Sequence, residues 1–298
     1  MAGTPLLDVL IVSSTGARDV LRACLESLRE HPLTIGAMRV HVVDNASTDG
    51  TPEMVRADFP EVVLHEMSWN SGFTAANNHV LRRNEAPFTL VLNPDTEVHP
   101  GSLDHMVALM RARPDIGMSS CRLVQPDGTF DHAAKRSFPT PLGALAHFLR
   151  VGRSDRAPRW LTQYRAPEVG EHEAGEVDAV NGAYMLVRRE AVAEVGLFDE
   201  RYWTYMEDLD WCYRFRQKGW KVWYDGTVST MHVKGGTTIT KRHRPVKHTV
   251  AFNRSMGRFY RKFYAGRRPL LDWAVYAAVL GKTAIAVTRS VVARRGVR

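Results

Sequence analysis

Three acids fall within four positions in "YMEDLDWCYRFRQKGW", residues 205 to 220: Glu207, Asp208 and Asp210. Carboxylates this close repel one another, so their grouping calls for a use. The spacing allows a solvated helix start, a metal site or a general base. A second acidic group, "LNPDTEV" at 92 to 98, sets Asn93, Asp95 and Glu97 around Pro94. Oxygen ligands so spaced suit Mg2+ or Mn2+, which take one or two carboxylates together with substrate phosphate oxygens; an ordinary strand exit broken by Pro94 reads as well. A third group, "VVDNASTDG" at 42 to 50, puts Asp44 and Asn45 just past an apolar run, with Ser47, Thr48 and Asp49 behind them. A carboxylate there can accept a hydrogen bond from a nucleobase imide or a ribose hydroxyl, and Asx-rich turns equally satisfy their own backbone.

Holding these groups requires strands and helices, and the first half of the chain alternates between the two periodicities. "LLDVLIVSS", "MRVHVVDNAS", "EVVLHEM" and "FTLVLNPD" read as strands. Between them, "DVLRACLESLREH" lines up Val20, Leu21, Cys24, Leu25 and Leu28 on one helical face. "TPEMVRADF" is a second helix, with Thr51 as N-cap and Pro52 at its first position, and "SGFTAANNHVLRRN" is a third. This order predicts an α/β fold with a mostly parallel, twisted sheet covered by helices on both faces. Ligands of such sheets bind beyond the carboxyl ends of the strands. "SST", "DNASTDG", "WNSG" and "NPDTE" all fall at those ends, so four strand ends converge on one cleft. Residues 121–178 are punctuated by Pro and Gly and resist assignment. Beyond them, "VDAVNGAYMLVRREAVAEVGLFDE" gives a strand, a turn and a short helix, and "KVWYDG" a later strand. "DWCYRFRQKGW" runs helically from Asp210 to Gly219, with Arg214 one turn beyond Asp210 and able to pair with it.

Composition narrows the class. The 298 residues are 44% hydrophobic and 24% charged, enough for one large domain or two intimately packed ones. Cys24, Cys121 and Cys212 match no zinc or disulfide spacing, which suits a reducing cytoplasm. The N-terminal "MAGTPLLDVLIVSSTG" reads as a strand and predicts no signal peptide. The formal net charge of +8 is uneven: from Lys241 onward 15 Lys/Arg face one acid, Asp272. That tail holds "LLDWAVYAAVLGKTAIAV", where Asp272 and Lys282 interrupt the apolar stretch. The pattern predicts a basic amphipathic helix on an anionic membrane surface, short of a span, with a core-packing terminal helix as the alternative. No nucleic-acid-binding fold or spacing accompanies the basic residues, which excludes that partner.

The segments "VDNASTDG", "NSGFTAANN", "LNPDTEV", "VNGAYMLVRREAVAEVGLFDERYW" and "YMEDLDWCYRFRQKGW" stand in the order and spacing of the family-two glycosyltransferases. The chain resembles their rhamnosyltransferase-like branch, which builds bacterial cell-wall and surface polysaccharides, over about residues 8 to 235. The resemblance implies a GT-A fold, a nucleotide-diphosphate sugar donor, Mg2+ or Mn2+, and inversion at the anomeric carbon. Carried over by position, Asp208 is the general base with Glu207 beside it, Asp95 is the metal carboxylate, and His232 faces metal or diphosphate. Ser13, Ser14, Asp44, Asn45, Asn70, Gly72 and Asn93 border the nucleotide sugar. Asn181, Gly182, Asp199, Glu200 and Trp203 shape the acceptor side. Glu207 and Asp210 are expected to raise the pKa of Asp208, making it a better base.

The domain reading is a catalytic unit over 1–240, its nucleotide-sugar half at about 1–120 and its acceptor half at about 121–240, followed by a basic helical extension over 241–298. The implied reaction moves a sugar, with dTDP-rhamnose the first donor expected, onto a lipid-linked saccharide at the inner face of the cell membrane. A homo-oligomer stays open. Two rivals are a sugar-nucleotide nucleotidyltransferase, for which "SSTGARDVL" is a poor triphosphate loop, and a non-catalytic nucleotide-sugar-binding protein, against which Asp95 and Asp208 speak.

Overall fold

Strand β1 (Leu7–Ser13) is buried along almost its whole length, as a strand flanked by parallel neighbours and covered on both faces must be. It pairs in parallel with β2 (Met38–Asp44) on one side and β4 (Phe88–Leu92) on the other, and β2 pairs in parallel with β3 (Val63–Glu66). Helices α1 (Arg18–Glu30), α2 (Thr51–Asp58) and α3 (Phe73–Leu81) make the crossovers. The computed structural model describes residues 3–139, 166, 168–233, 246–266 and 268–295.

After β4 come β5 (Thr96–Val98), α4 (Ser102–Ala112), β6 (Ile116–Val124) and the two-residue β7 (Lys135–Arg136). Next are β8 (Ala174–Glu176), β9 (Ala179–Val180), β10 (Tyr184–Arg188), α5 (Arg189–Val195), α6 (Glu207–Gln217) and β11 (Lys221–His232). The main sheet runs β3-β2-β1-β4-β10-β6-β11-β5, with β8 on β11, while β7 and β9 form a separate ribbon. Strand β10 is antiparallel to both neighbours, and β6 with β11 is again parallel, so the sheet is mixed but mostly parallel in its first half. One core cluster joins the two halves, from Leu7 and Val42 through Met118 to Trp211 and Phe215.

Three local expectations are revised. Gly50, left-handed at φ +79°, precedes α2 as its cap, and Thr51 is the first helical residue. Helix α6 starts at Glu207, three residues before Asp210, because Tyr205 and Met206 both turn left-handed (φ +67° and +70°) and launch it there. The basic amphipathic tail divides into α7 (Val246–Phe263), which packs on the body, and α8 (Pro269–Arg295). Its stretch Pro269–Thr288 is apolar, with a mean hydropathy of 1.5, and by length and composition could cross a membrane despite Asp272 and Lys282. The boundary drawn at 240 lies outside the described residues, as does most of the unassigned stretch between 140 and 167.

Candidate active site

Parallel pairing sets Ser13 directly beside Asp44 at the carboxyl ends of β1 and β2. Asp44 Oδ2 accepts the Ser47 N–H at 2.9 Å, which closes the turn. Its other oxygen, Oδ1, is buried without a hydrogen-bond partner among the described residues, as are Ser13 Oγ and Ser47 Oγ. Buried polar atoms are normally paired, so three unsatisfied ones at a single strand end fit a polar ligand entering there. Asn45 is committed to the fold: its Oδ1 accepts Ser71 N (2.8 Å) and Oγ (3.1 Å), and its Nδ2 donates to Gly72 O. Ser14 is half-buried and its carbonyl accepts the Ala17 N–H.

The loop so anchored carries exposed Asn70, whose Oδ1 accepts the Gly72 N–H at 3.1 Å. Gly72 is left-handed (φ +85°), and a Cβ there would lie 2.6 Å from the Trp203 carbonyl oxygen. Glycine is therefore required by Trp203, on the segment that leads into α6. That segment is clamped to α3: Phe73 N donates to Trp203 O, Thr74 Oγ1 to Tyr202 O, and Asn78 exchanges two hydrogen bonds with Phe198. Glu200 accepts Asn78 Nδ2 and pairs with Arg82. Burial opposes ionisation of Asp199, but Arg201 (2.6 Å) and Lys262 (2.9 Å) outweigh it and hold the carboxyl well below the usual carboxylate range. Both acids are thus engaged by the protein's own cations, whereas Trp203 keeps 37% of its surface exposed.

Helix α6 brings its three acids to one end, and each has different company. Asp208 Oδ2 accepts Arg136 Nη2 at 2.5 Å and Gly182 N at 3.3 Å, while its Oδ1 accepts Leu209 N at 2.8 Å. Arg136 reaches it from the β7–β9 ribbon and also donates to Val180 O at 2.6 Å. Burial foremost, with the Asp208 charge next, pushes Glu207 to about 8, and its Oε2 is buried without a partner among the described residues. Asp210 has no exposed surface, and it binds Arg214 Nε at 2.7 Å and Lys262 Nζ at 2.5 Å. Its pairing with Arg214 is the one expected of an i, i+4 pair.

Asp95 is buried just past β4. The antiparallel register of β5 and β11 sets His232 opposite Thr96, and Val233 N donates to Asp95 O. His232 Nε2 stands 3.5 Å from Asp95 Oδ1, and its Nδ1 is 3.3 Å from buried Asp131 Oδ2. Burial disfavours the imidazolium, yet hydrogen bonds to Asp131 and Asp95 prevail and push His232 up to about 9. Among the described residues no group of three His, Cys, Asp or Glu is arranged for a metal ion. Two ligands are nevertheless what Mg2+ or Mn2+ needs when diphosphate oxygens complete its shell, and Asp131 behind the imidazole is a usual orienting partner. Asp95 and His232 fit that group. Glu97 lies opposite Met231 on β5.

Two sets of contacts tie these groups together. Asn45 holds Ser71, Gly72 abuts Trp203, and Gly182 N meets Asp208. Asn93 N donates to Ala183 O at 3.0 Å, which ties the Asp95 segment to the Asn181–Gly182 turn. Asn181 shapes that turn through its Oδ1, which accepts the Ala183 N–H. Arg136, Asp131 and Lys262 were not singled out from sequence; the basic run "KRSFPTP" was the sole signal for Arg136.

The sequence model described as glycosyl transferase family 2 matches residues 9–196. An N-acetylglucosaminyl-diphospho-decaprenol L-rhamnosyltransferase of Mycobacterium tuberculosis strain H37Rv is 30% identical over 282 residues, covering 90% of this chain and 88% of that protein. Among solved structures, a mannosyltransferase from Pyrobaculum calidifontis in complex with GDP-Man and Mn2+ superposes with a TM-score of 0.59 at 19% identity, covering 98% of this chain and 76% of that one. S. aureus TarS residues 1–349, in complex with UDP-GlcNAc, gives 0.55 at 15% identity over 92% of this chain and 72% of its own. The two structures share the GT-A fold.

Proposed function

The chain belongs to glycosyltransferase family 2, and from that premise we propose an inverting, metal-dependent transfer of L-rhamnose from dTDP-rhamnose to a lipid-linked saccharide. The acceptor class and the sugar rest on the likeness to the mycobacterial rhamnosyltransferase, which extends over both halves of the chain. The observation that carries the chemistry is the set of contacts that places Asp208 and Asp95 on two arms joined through Gly182, Ala183 and Asn93.

In this reading Asp44, with its free Oδ1, receives the base or ribose of the donor. The sugar then lies toward Asn93 and the Asn181–Gly182 turn. Asp208 takes the proton from the acceptor hydroxyl as the new carbon–oxygen bond forms, attacking from the face opposite the departing diphosphate. Gly182 N and Arg136 hold Asp208 Oδ2 so that the remaining electron pairs of the carboxylate point outward. Asp95 and His232 would hold a divalent cation, which when bound would supply positive charge against the diphosphate; the Mn2+ complex of the Pyrobaculum neighbour supports that expectation. A lipid-linked acceptor places the enzyme at the cytoplasmic face of a membrane, in cell-wall or surface-polysaccharide synthesis.

The test is a donor panel of dTDP-rhamnose, UDP-GlcNAc and GDP-mannose with a polyprenyl-diphospho-saccharide acceptor, read as nucleoside diphosphate release. Turnover with dTDP-rhamnose and inverted product configuration are expected. Transfer confined to UDP- or GDP-sugars refutes the donor, and a retained configuration refutes the single displacement.

A further inference from the structure

Helix α8 is turned inside out. Between 269 and 288 none of its exposed residues carries a charge. Leu270, Trp273, Ala277, Leu280, Ala284 and Val287 recur at alternating spacings of three and four and are all exposed, Leu270 by 88%, Trp273 by 75% and Leu280 by 69%. That spacing makes one continuous stripe along a helix. Asp272 and Thr283 face the other way, toward α7. Asp272 accepts Tyr260 OH at 2.5 Å and Gly266 N at 2.9 Å, Thr283 Oγ1 accepts Asn253 Nδ2 at 3.1 Å, and Lys282 is half-buried. In water the reverse arrangement is stable, because exposed apolar surface is unfavourable.

We propose that this outer face of α8 seats the enzyme in a phospholipid bilayer, with the helix lying in the interfacial plane and its uncharged stripe in the hydrocarbon. The ends support that choice: Arg267 and Arg268 precede the apolar stretch and Arg289, Arg294 and Arg295 follow it, complementary to phosphate headgroups on both flanks. The packing decides the orientation. Helix α8 runs antiparallel along α7, with Tyr260 against Tyr276 and Asn253 against Thr283. A span would drag exposed Arg254 and Arg261 of α7 into hydrocarbon, which strongly disfavours it. Helix α7 is in turn fixed to the catalytic body through Lys262 on Asp210 and Ser255 on Thr204. The pair is therefore a bracket that sets the cleft at a defined height above the lipid. Attachment comes from burial of the stripe, so it requires neither anionic lipid nor low salt, unlike a basic tail on headgroups. The inference builds on the lipid-linked-acceptor reading for its purpose, and its evidence is independent of it.

The test is flotation of the full chain with vesicles of neutral phosphatidylcholine at about 1 M salt, where charges are screened beyond roughly 3 Å. Wild type should float, and Leu280→Glu/Ile285→Glu, both exposed positions (69% and 55%), should lower partition at least about tenfold. The variant should keep turnover on a short-chain, water-soluble acceptor and lose it on the same saccharide embedded in vesicles. Binding confined to anionic vesicles and abolished by salt would overturn the proposal in favour of headgroup attraction. A wild-type dimer that fails to float, and that the double variant converts to monomer, would overturn it in favour of a second copy. Flotation without transfer from any nucleotide sugar would support the lipid face and reject the catalytic reading instead.

Discussion

Asp208→Asn separates the chemistry proposed for α6 from its scaffolding. Asp208 and Arg136 are nearly enclosed, with side-chain exposures of 12% and 10%, and their oxygen and nitrogen are 2.5 Å apart. The asparagine amide can still accept from Gly182 or Leu209 through its oxygen, but the charge that Asp208 sets against the guanidinium is gone. Removing one partner of a buried pair costs about 3 kcal/mol or more, which for a chain of this size lowers the unfolding midpoint by roughly 5–10 °C. Loss of the base lowers kcat by about 10²–10⁴-fold in addition. The two effects part in the double variant Arg136→Met/Asp208→Asn, where neither charge remains. It should regain much of the lost thermal stability yet stay inactive. The assay pairs thermal unfolding with nucleoside diphosphate release on all four members of the cycle. Near wild-type turnover in Asp208→Asn would remove Asp208 from the chemistry, and a double variant no more stable than the sum of the singles would show that the pair carries no coupling.

Asp95→Ala should weaken Mn2+ binding in the presence of nucleoside diphosphate at least about tenfold, read by electron paramagnetic resonance; an unchanged affinity places the metal elsewhere. Gly72→Ala should destabilise the fold by about 2 kcal/mol or more, because its Cβ meets the Trp203 carbonyl oxygen at 2.6 Å. Adding Trp203→Ala clears the indole, whose Cδ1 would lie 2.3 Å away, but leaves the backbone carbonyl and the positive φ in place, so it should restore stability only in part, and full rescue in thermal unfolding would refute that account. Burial, followed by the neighbouring charges of His41, His79 and Arg83, pushes His65 down to about 4 from its ordinary 6.5. The unfolded chain then binds a proton that the folded one refuses, so stability should fall as pH drops from about 6.5 to about 4. Half-buried His65 limits the loss to about 2 kcal/mol after screening. His65→Asn should flatten urea midpoints across that window, and an unaltered slope would remove His65 as the cause.

The parallel strands were legible because burial on both faces leaves almost uninterrupted apolar runs such as "LDVLIVS". Strand β6, "IGMSSCRLV", is as buried but mixes Ser119, Ser120 and Arg122 into the run, so its pattern matched no simple period. The start of α6 escaped because two non-glycine residues adopt the left-handed region, which no local residue type announces. Arg136 stands 72 positions from Asp208 and Asp131 stands 101 from His232; only the β7–β9 ribbon and the β11 register bring them together. In α8, Asp272 and Lys282 looked like interruptions because periodicity in one helix does not say which side a neighbour will cover.

Asp210 also bears on how the enzyme can be handled. Its two cations come from opposite ends of the architecture, Arg214 on its own helix and Lys262 from α7. Phe259 and Phe263 close over Tyr213 beside it, with ring centroids 6.0 and 4.2 Å away. A version trimmed before Val246 to make it water-soluble would remove both of those rings together with Lys262, uncover Tyr213, and open Asp210 to solvent within one turn of Asp208. Solubility is better sought by recolouring the outer stripe of α8 with polar side chains, which leaves every contact beneath it in place.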